Sequence, residues 1–408
     1  MTFASSAFGQ LRYIEEATTN VTPVTGNGIN LRMTAPTMKA SIQTVKSAEV
    51  SSTRMAKSQT RVDMNMDGGF NFELSGKEYD PFLASVIGAS FAHYGTNGLG
   101  AVFTATTVAG SITAAVAPTS TSAFTTLAVG SWFKLVPPAG AAQAIKDYFS
   151  DKWLKVGATT GTTITLDAST QLAAPGLVTS VAGYAVSQSV AAQGNAFKSY
   201  TMEYAMTDIS QFLTYPGMRP NSFELNIETG SIVTGSFGFL GGTGHTMQGT
   251  TKLPGTPVAS QSLEVMNAVT DVGAIYEGGN SILTSSTSFI KKVGLNIGNN
   301  LRGQKAVGVF GNADVGTGEF EVGGTLEMYV ENATYYNKWL QGATTTLALG
   351  VADAAGNGYL IELDKVQFGD GGMNVGGRND DTMLSLPFSA FYNDATGRGI
   401  RITRAIAA

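Results

Sequence analysis

The 408-residue sequence has no cysteine, only two histidines and few charged residues. The absence of cysteine excludes disulfides and thiolate metal sites, and it fits assembly in a reducing cytoplasm. Charged residues make up 13% of the chain, which is about half the share in an average protein. A surface with so little charge is either rich in Ser, Thr and Gly or covered by partners, and the second alternative favours an assembly.

Further absences narrow the class of protein. The formal net charge of −5 argues against a basic nucleic-acid-binding surface, although it is compatible with a surface that DNA passes without sticking. No apolar run reaches the ~18 residues of a transmembrane helix. The N-terminal residues lack the basic segment followed by an apolar run that is typical of a signal peptide. We therefore expect no membrane partner.

Residues that could perform chemistry are sparse. His93 and His245 stand far apart, in no spacing that suggests a metal site or a nucleophile–base pair. Asp380 and Asp381 lack the spacing of a calcium loop and are better explained as turn residues. The glycine-rich run at 241–252 lacks the Gly-Lys-Ser/Thr ending of a phosphate loop. We predict no enzymatic activity, no cofactor and no metal.

Short alternating strands are plentiful, and long periodic helices are missing, so the fold is predicted to be mainly β. The clearest element spans residues 68–88. Phe70, Phe72 and Leu74 alternate with polar residues, which predicts a half-buried strand. Pro81 and the helical spacing of the apolar residues after it predict a short helix.

A similar succession of a glycine pair, a strand and a short helix returns at residues 323–342. Aligning Tyr79 with Tyr335 gives an offset of 256 residues, and aligning Tyr200 with Tyr359 gives an offset of 159. The difference, 256 − 159 = 97 residues, predicts an insertion in the first copy alone. The chain is therefore predicted to be a duplicated unit.

The predicted organisation has five parts. They are an N-terminal arm (1–35), a first copy split into 36–96 and 197–240, an inserted module (97–196), a linker with a hairpin (241–290) and a second copy (291–408). The insert holds three short strand patterns separated by turns, which predicts a small closed β-module in a surface loop. Trp132 is interpreted as a core residue, because basic residues are too sparse for a nucleic-acid-binding barrel.

Each copy contains a polar excursion before its strand and helix, at 51–67 and at 299–317. Their basic residues are Arg54, Lys57, Arg61, Arg302 and Lys305. The excursion at 51–67 is predicted to be a long hairpin. The alternative, a solvated loop tip, stays open from the sequence alone.

Taken in order, these segments resemble the tail tube proteins of long-tailed, siphovirus-like bacteriophages. The resemblance is carried by the segments 47–50, 69–74, 79–87, 199–203, 217–222, 232–237 and 335–340, and by 130–134 and 151–156 of the insert. It implies a duplicated tail-tube β-sandwich domain, each copy with a short flanking helix, plus the small inserted β-module.

The resemblance also implies a function. Tail tube proteins join their inner sheets around a ring, and the rings stack into a hollow tube that conducts DNA into the host. It implies a place in the virion tail, assembly in the host cytoplasm, and a tape measure protein with tail terminator and distal tail proteins as partners. Double-stranded DNA would pass transiently and without specific binding.

Rings in this family have six tube domains, so a chain with two would form a trimeric ring with pseudo-sixfold symmetry. Under this hypothesis the basic residues of the two excursions lie in ring-stacking loops. Asn71, Glu73 and Glu327 are predicted to lie in lumen-sheet strands. The lumen is expected to be polar and neutral or negative, because lysines aimed inward would bind phosphates.

Two other structural classes stay open. A capsid decoration or fibre component would show no closed ring and no duplicated tube unit. An outer-membrane β-barrel would need a signal peptide and an outward apolar band with aromatic girdles. An enzyme is the least favoured alternative.

Overall fold

The computed structural model describes residues 3–407 apart from 51, 53–54, 96–98, 101–102, 109–110, 115–123, 171–180 and 284–288. The fold is mainly β, as predicted. The described α-helices are α1 (Asp80–Val86), α2 (Gln143–Ser150) and α3 (Thr334–Leu340). No helix among the described residues is long and apolar enough to cross a membrane.

The strands fall into four groups along the chain. The first comprises β1 (Gly9–Glu16), β2 (Ile29–Leu31), β3 (Ala35–Pro36), β4 (Lys39–Lys46), β5 (Gln59–Glu73) and β6 (Ala92–His93). The second comprises β7 (Phe103–Val108), β8 (Ser111–Ala114), β9 (Trp132–Val136), β10 (Leu154–Thr159), β11 (Thr163–Leu166) and β12 (Val181–Ser187).

The remaining strands follow the insert. The third group comprises β13 (Ser189–Ala192), β14 (Ser199–Met206), β15 (Gln211–Glu228), β16 (Thr234–Leu240), β17 (Thr246–Gln248), β18 (Val272–Glu277) and β19 (Asn280–Ser281). The fourth comprises β20 (Ile290–Gly298), β21 (Arg302–Gln304), β22 (Asp314–Gly316), β23 (Glu321–Tyr329), β24 (Thr344–Ala352), β25 (Gly358–Phe368), β26 (Gly372–Asn374), β27 (Met383–Ala390) and β28 (Ile400–Ala405).

An antiparallel path of eight strands runs through both halves of the chain, in the order β4–β5–β16–β15–β20–β23–β27–β26. Its first four strands precede residue 241 and its last four follow residue 289. Alternate apolar residues of these strands, such as Phe70, Leu225, Leu295 and Leu326, are buried in one continuous core. The apolar positions of the period-two pattern in the sequence therefore lie on the side of this sheet that faces the core.

The two halves are joined by β15 and β20, which pair over Ser222–Glu228 and Lys292–Gly298. Phe223 lies opposite Ile297, and Leu225 lies opposite Leu295. All four side chains are at most 4% exposed. The junction is thus built of core residues as well as ladder hydrogen bonds.

A second layer covers the core. It contains β2–β1–β14–β15–β17 on one side and β19–β18–β24–β25–β28–β13–β6 on the other. Residues 9–16, predicted to be part of an arm, form β1, which pairs with β14 through eight residues, and Leu11 and Tyr13 enter the core. The division of the chain into duplicated domains stays a prediction.

Helix α1 lies inside the core rather than on a flank. The Phe82 ring centroid is 4.7 Å from that of Tyr13 and 5.0 Å from that of Tyr200. Residues of the second half hold both helix ends, because Tyr359 donates to Asp80 over 2.5 Å and the side-chain amide of Asn299 donates to the Val86 carbonyl over 2.8 Å. Helix α3, in contrast, has no buried residue.

The insert forms a closed six-stranded barrel in the order β10–β11–β8–β7–β12–β9. It packs on the outer face of β18, β24, β25 and β28 through a cluster in which Trp132 and Trp153 meet Ala348, Leu360 and Ala405. Trp132 is 2% exposed, as predicted for a core residue. It lies in the seam between the barrel and the body, however, and not in the barrel interior.

Lys134 is the unusual residue near this seam, because its side chain is 1% exposed. Its ammonium group donates to the Ser150 carbonyl and lies 5.4 Å from the Trp153 ring centroid. Burial lowers the pKa of Lys134 from 10.5 to about 7, although Asp353 and Asp151 act in the opposite direction. Compared with unfolding, folding therefore favours the neutral amine of Lys134.

This preference predicts a pH-dependent stability. The folded-state pKa lies below the unfolded one, so the free energy of unfolding should rise as the pH increases from about 7 to about 10.5. Lys134→Met removes this contribution. The free energy of unfolding is measured by chemical denaturation at pH 7 and pH 9. Relative to Lys134→Met, the wild-type value should rise by up to about 1.4 kcal/mol per pH unit.

Lys365→Met is the matched control, because Lys365 is exposed. That variant should follow the wild-type pH profile. Parallel profiles for wild type and Lys134→Met would contradict the assigned preference for the neutral amine.

Candidate assembly surfaces

The side of the eight-stranded sheet that faces away from the core carries polar and small residues. We call this side the polar face and define it by the outward residues of β5 from Asp67 to Glu73 and of the strands that continue the same rows. Its members include Asp67, Asn71, Glu73, Ser236, Glu224, Asn226, Glu228, Lys292, Asn296, Glu321, Thr325, Glu327, Ser385 and Ser389. Few large apolar side chains interrupt it.

The three predicted lumen-strand residues all lie on the polar face. Asn71 and Glu73 are outward residues of β5, and Glu327 is an outward residue of β23. Asn71 is exposed, whereas the other two are partly buried. The structure thus brings together residues that are more than 250 positions apart in the sequence, and their orientation toward a lumen stays a prediction.

The charge of the polar face is predominantly negative. Its acidic residues are Asp67, Glu73, Glu224, Glu228, Glu321 and Glu327, and its basic residues are Lys39, Lys292 and, at its border, Arg219, which is paired with Asp314. Both lysines are paired on the face itself: Lys39 lies 3.5 Å from Asp67, and Lys292 lies 3.6 Å from Glu228. The face therefore offers no concentrated positive charge to a phosphate backbone.

The middle of the polar face is concave. A groove of about 820 Å³ runs across β15, β20, β23 and β27. Glu224, Asn296, Gly323 and Ser389 are among its lining residues. The groove crosses the junction of the two halves, so the curvature is continuous from one half to the other.

Strands β4 and β5 extend beyond the rest of the sheet as a long hairpin, as predicted for the first excursion. Pairing continues to Lys46 opposite Gln59, while β16 ends opposite Asp67. Eight further residues of β5 at about 3.3 Å each give a projection of about 26 Å. Met64 and Met66 at the base of the hairpin are buried, and beyond them the hairpin exposes both of its faces, including the apolar side chains of Val45 and Val62.

The predicted basic residues of this hairpin are placed as follows. Lys57 and Arg61 are exposed. Arg54 lies outside the described residues. Lys46 is a further exposed cation, and Glu49 is the one acidic residue described between 43 and 62. The described part of the hairpin tip is therefore net positive.

The second excursion folds back on its own chain. It contains the small β21–β22 hairpin, in which Arg302 is exposed. The ammonium group of Lys305 donates to Asp63 over 2.9 Å and to Asn65 over 2.7 Å, so it braces the first hairpin. The hydrogen bond from Lys305 lowers the pKa of the Asp63 carboxyl.

A buried side chain fixes the base of the same excursion, because the amide of Asn312 donates to the Gly241 carbonyl over 2.7 Å. Sequence reasoning missed both contacts. Lys305 and Asp63 are separated by 242 residues, and no local pattern connects them.

The outermost strands of the eight-stranded path have one partner each among the described residues. Strands β3 and β4 pair with β5, and β26 pairs with β27. Seven of the eight residues of β4 are exposed. Two exposed edges of one sheet are sites for pairing with another chain.

His93, His245 and Asp380 make hydrogen bonds within the fold. The His93 ring contacts the Ser189 hydroxyl at 2.8 Å, and His245 contacts the Thr214 carbonyl at 2.9 Å. Asp380 accepts a hydrogen bond from the Gly377 backbone over 3.0 Å, as a turn residue does. Within the described part of the chain, no group of three or more His, Asp or Glu side chains could hold a metal ion.

A comparison with protein families finds one whose description is phage tail tube protein, and its model matches residues 9–390. The chain belongs to the phage tail tube protein family. This tail tube protein is a structural component of the bacteriophage tail that self-assembles into a tube. The match includes β1, which pairs with β14 in the second layer. Among curated proteins, the comparison finds no match.

Proposed function

We propose that this tail tube protein forms trimeric rings with pseudo-sixfold symmetry, and that the stacked rings conduct DNA into the host. The observation that carries the proposal is the single eight-stranded sheet made of two four-stranded halves with one polar face. Three such sheets, joined edge to edge, would line a ring with 24 strands. The equivalent strand order of the two halves supports the duplication behind the pseudo-symmetry.

The bore must be wide enough for duplex DNA, and this requirement sets the number of chains per ring. Strands about 4.8 Å apart give backbone diameters of about 12, 24 and 37 Å for 8, 16 and 24 strands parallel to the axis. Side chains occupy about 5 Å of each wall, and a strand tilt of ~40° widens the ring by about a third. Two chains leave a bore of about 14 to 22 Å, and three leave about 27 to 38 Å. Duplex DNA is about 20 Å wide, so three chains are the smallest ring that clears it at any tilt.

We assign the polar face to the lumen. DNA carries a high density of negative charge, and each lysine that neutralises a phosphate would add to its retention. Three copies of a face on which both lysines are already paired with acidic residues would repel the duplex weakly. Such a lining supports passage without specific binding.

The β4–β5 hairpin is proposed to contact the next ring along the tube. Both excursions leave the same end of the sheet, whereas Glu73, Glu228 and Glu331 lie at the opposite end, together with Lys291 and Lys292. The net positive hairpin tip would meet the unpaired carboxylates at that end of the next ring. Contacts between unlike ends do not close, so they generate an open filament.

The remaining partners follow from the family. A tape measure protein inside the tube during assembly, and terminator and distal tail proteins at its ends, are expected by resemblance. Assembly in the host cytoplasm fits a chain without cysteine.

The stacking role is tested by shortening the hairpin. Residues 48–57 are replaced by Asn-Gly, which retains the hydrogen bond between the Ser47 amide and the Ser58 carbonyl. The protomer should keep its thermal midpoint, because the described residues of the excised tip are exposed. Electron microscopy should show rings without tubes, and native mass spectrometry should find three chains per ring.

A milder pair of variants serves as a control. Lys57→Ala with Arg61→Ala should raise the protein concentration needed for tube formation. Lys146→Ala with Lys152→Ala, an equal loss of charge on the inserted barrel, should leave it unchanged. Normal tubes from the shortened hairpin would refute the stacking role, and six chains per ring would refute the trimer.

The lumen assignment is tested by reversing a charge on the polar face. Glu224 is exposed in the groove, so Glu224→Lys should not affect folding. Each ring would then present three lysines to the DNA. Phage carrying this variant should assemble normally and eject DNA severalfold more slowly in low salt, and the difference should shrink as salt rises.

Glu224→Gln is the control that removes the carboxylate without adding a cation. It should eject DNA at nearly the wild-type rate. Equal ejection rates for wild type and Glu224→Lys in low salt would place this face outside the DNA path.

A further inference from the structure

We infer that the ring closes by antiparallel pairing of residues 370–376 of one copy with residues 35–41 of the next, in a register copied from the β15–β20 junction. The inference rests on the proposed ring. It goes further because it names the two edges and the residue opposite each residue. The chain contains one complete junction between equivalent halves, and that junction serves as the template.

The strand pairs at the centre of each half establish the equivalence. Phe70 of β5 lies opposite Phe237 of β16, and Leu326 of β23 lies opposite Leu386 of β27. All four side chains are buried in the same core. Phe70 and Leu326 are also separated by the 256-residue offset between the two copies.

The next strand outward in each half is then matched. Leu225 of β15 lies opposite Gly235 of β16, and Met373 of β26 lies opposite Leu384 of β27. Gly235 lies two residues before Phe237 in β16, and Leu384 lies two residues before Leu386 in β27. Met373 is therefore the counterpart of Leu225, and residues 370–376 are the counterpart of 222–228.

The opposite edge is matched in the same way. Lys39 lies opposite Asp67, and Asn296 lies opposite Gly323. Asp67 and Gly323 are 323 − 67 = 256 residues apart, so Lys39 is the counterpart of Asn296. Strands β3 and β4 together thus correspond to β20.

The template now gives the register. Glu224 lies opposite Asn296 in the β15–β20 junction. Their counterparts are Gly372 and Lys39, so Gly372 of one copy should lie opposite Lys39 of the next. Residues 370–376 would run antiparallel to 41–35, with Met373 opposite Met38.

The direction of the backbone groups agrees with this register. The Asn299 amide donates to the Asn221 carbonyl, so odd-numbered residues of β20 face β15. Their counterparts in β3 and β4 are even-numbered. The Thr37 amide donates to the Gly69 carbonyl over 2.8 Å, so odd-numbered residues face β5 and even-numbered ones, such as Met38, face outward as the pairing requires.

The exposed side chains on the receiving edge also favour pairing. Met373 is 41% exposed and Val375 is 71% exposed, although their counterparts Leu225 and Ile227 are buried at the internal junction. A neighbouring copy would cover this apolar edge and extend both ladders, except at Pro36, which has no backbone N–H to donate. It would leave the polar face continuous around the ring.

An engineered disulfide tests the register in a chain that has no native cysteine. The variant is Gly372→Cys with Lys39→Cys. A Cβ at Gly372 meets nothing within 4 Å, and residues directly opposite each other lie within disulfide range. Tubes assembled from the full chain are treated with diamide and run on a non-reducing gel. Covalent species should end at a closed trimer, with more than half of the chains linked.

Two matched variants calibrate the result. Glu224→Cys with Asn296→Cys places the same pair at the internal junction and should link within one chain. Gly372→Cys with Ser41→Cys moves one partner by two residues on the same face, where Cβ atoms lie about 7 Å apart, and it should link at least tenfold less.

The outcomes separate the register from the function. Tubes in which the Ser41 pair links and the Lys39 pair does not would overturn the register while leaving the ring intact. Tubes in which neither pair links, although the internal pair does, would overturn closure by these edges. A ladder ending at six chains would support the register and contradict the trimer, and a chain that forms no rings or tubes would contradict the proposed function and this inference together.

Discussion

The pairing of β15 with β20 determines how the two halves of the chain are arranged. It joins two four-stranded halves into one sheet. Phe223 and Leu225 lie on one side of the junction, and Ile297 and Leu295 lie on the other. The paired residues bury apolar side chains on the inner face and leave Glu224 and Asn296 on the polar face. A single junction therefore produces both the continuous core and the continuous polar surface.

The different surroundings of the two helices follow from the same junction. Helix α1 lies beside it, and second-half residues Tyr359, Arg404 and Asn299 hold its ends. Helix α3 lies away from the junction and keeps Leu340 60% exposed. In the proposed ring, a neighbouring chain would cover α3 as the second half covers α1. The same neighbour would cover the exposed edges at β4 and β26.

Local patterns in the sequence predicted the elements but not their long-range partners. Alternation around Phe70 and the proline at the start of α1 predicted β5 and the helix that follows it. Residues 1–35 were predicted to form an arm, and the pairing of β1 with β14 was not anticipated. The residue pattern of a strand does not indicate which distant strand it pairs with. The brace between Lys305 and Asp63 was missed for the same reason.

The position of Trp132 shows a second limit of sequence reasoning. Its burial was predicted correctly from its chemistry. Its place in the seam with the body was not, because a buried tryptophan has the same local pattern in a barrel core and at a docking surface. Contacts of this kind depend on the relative placement of two modules, which composition and spacing do not encode.

The proposed duplication is supported by equivalent strand orders, yet the two helices differ in sequence. Asp80, which Arg404 and Tyr359 contact, has Tyr336 as its counterpart at the 256-residue offset. The junction between copies would therefore resemble the internal one in its backbone pairing and differ in its side chains. Such a difference would keep the two kinds of junction in the ring distinct.

In the proposed tube, the polar face of a 24-stranded ring lines the bore. A cryo-electron microscopy map of the assembled tube, at a resolution that separates strands, tests it most directly. We expect three chains per ring, eight lumen strands per chain, and Asn71, Glu224 and Glu327 pointing inward. A map in which β18, β24 and β25 line the bore, or in which six chains form the ring, would contradict it.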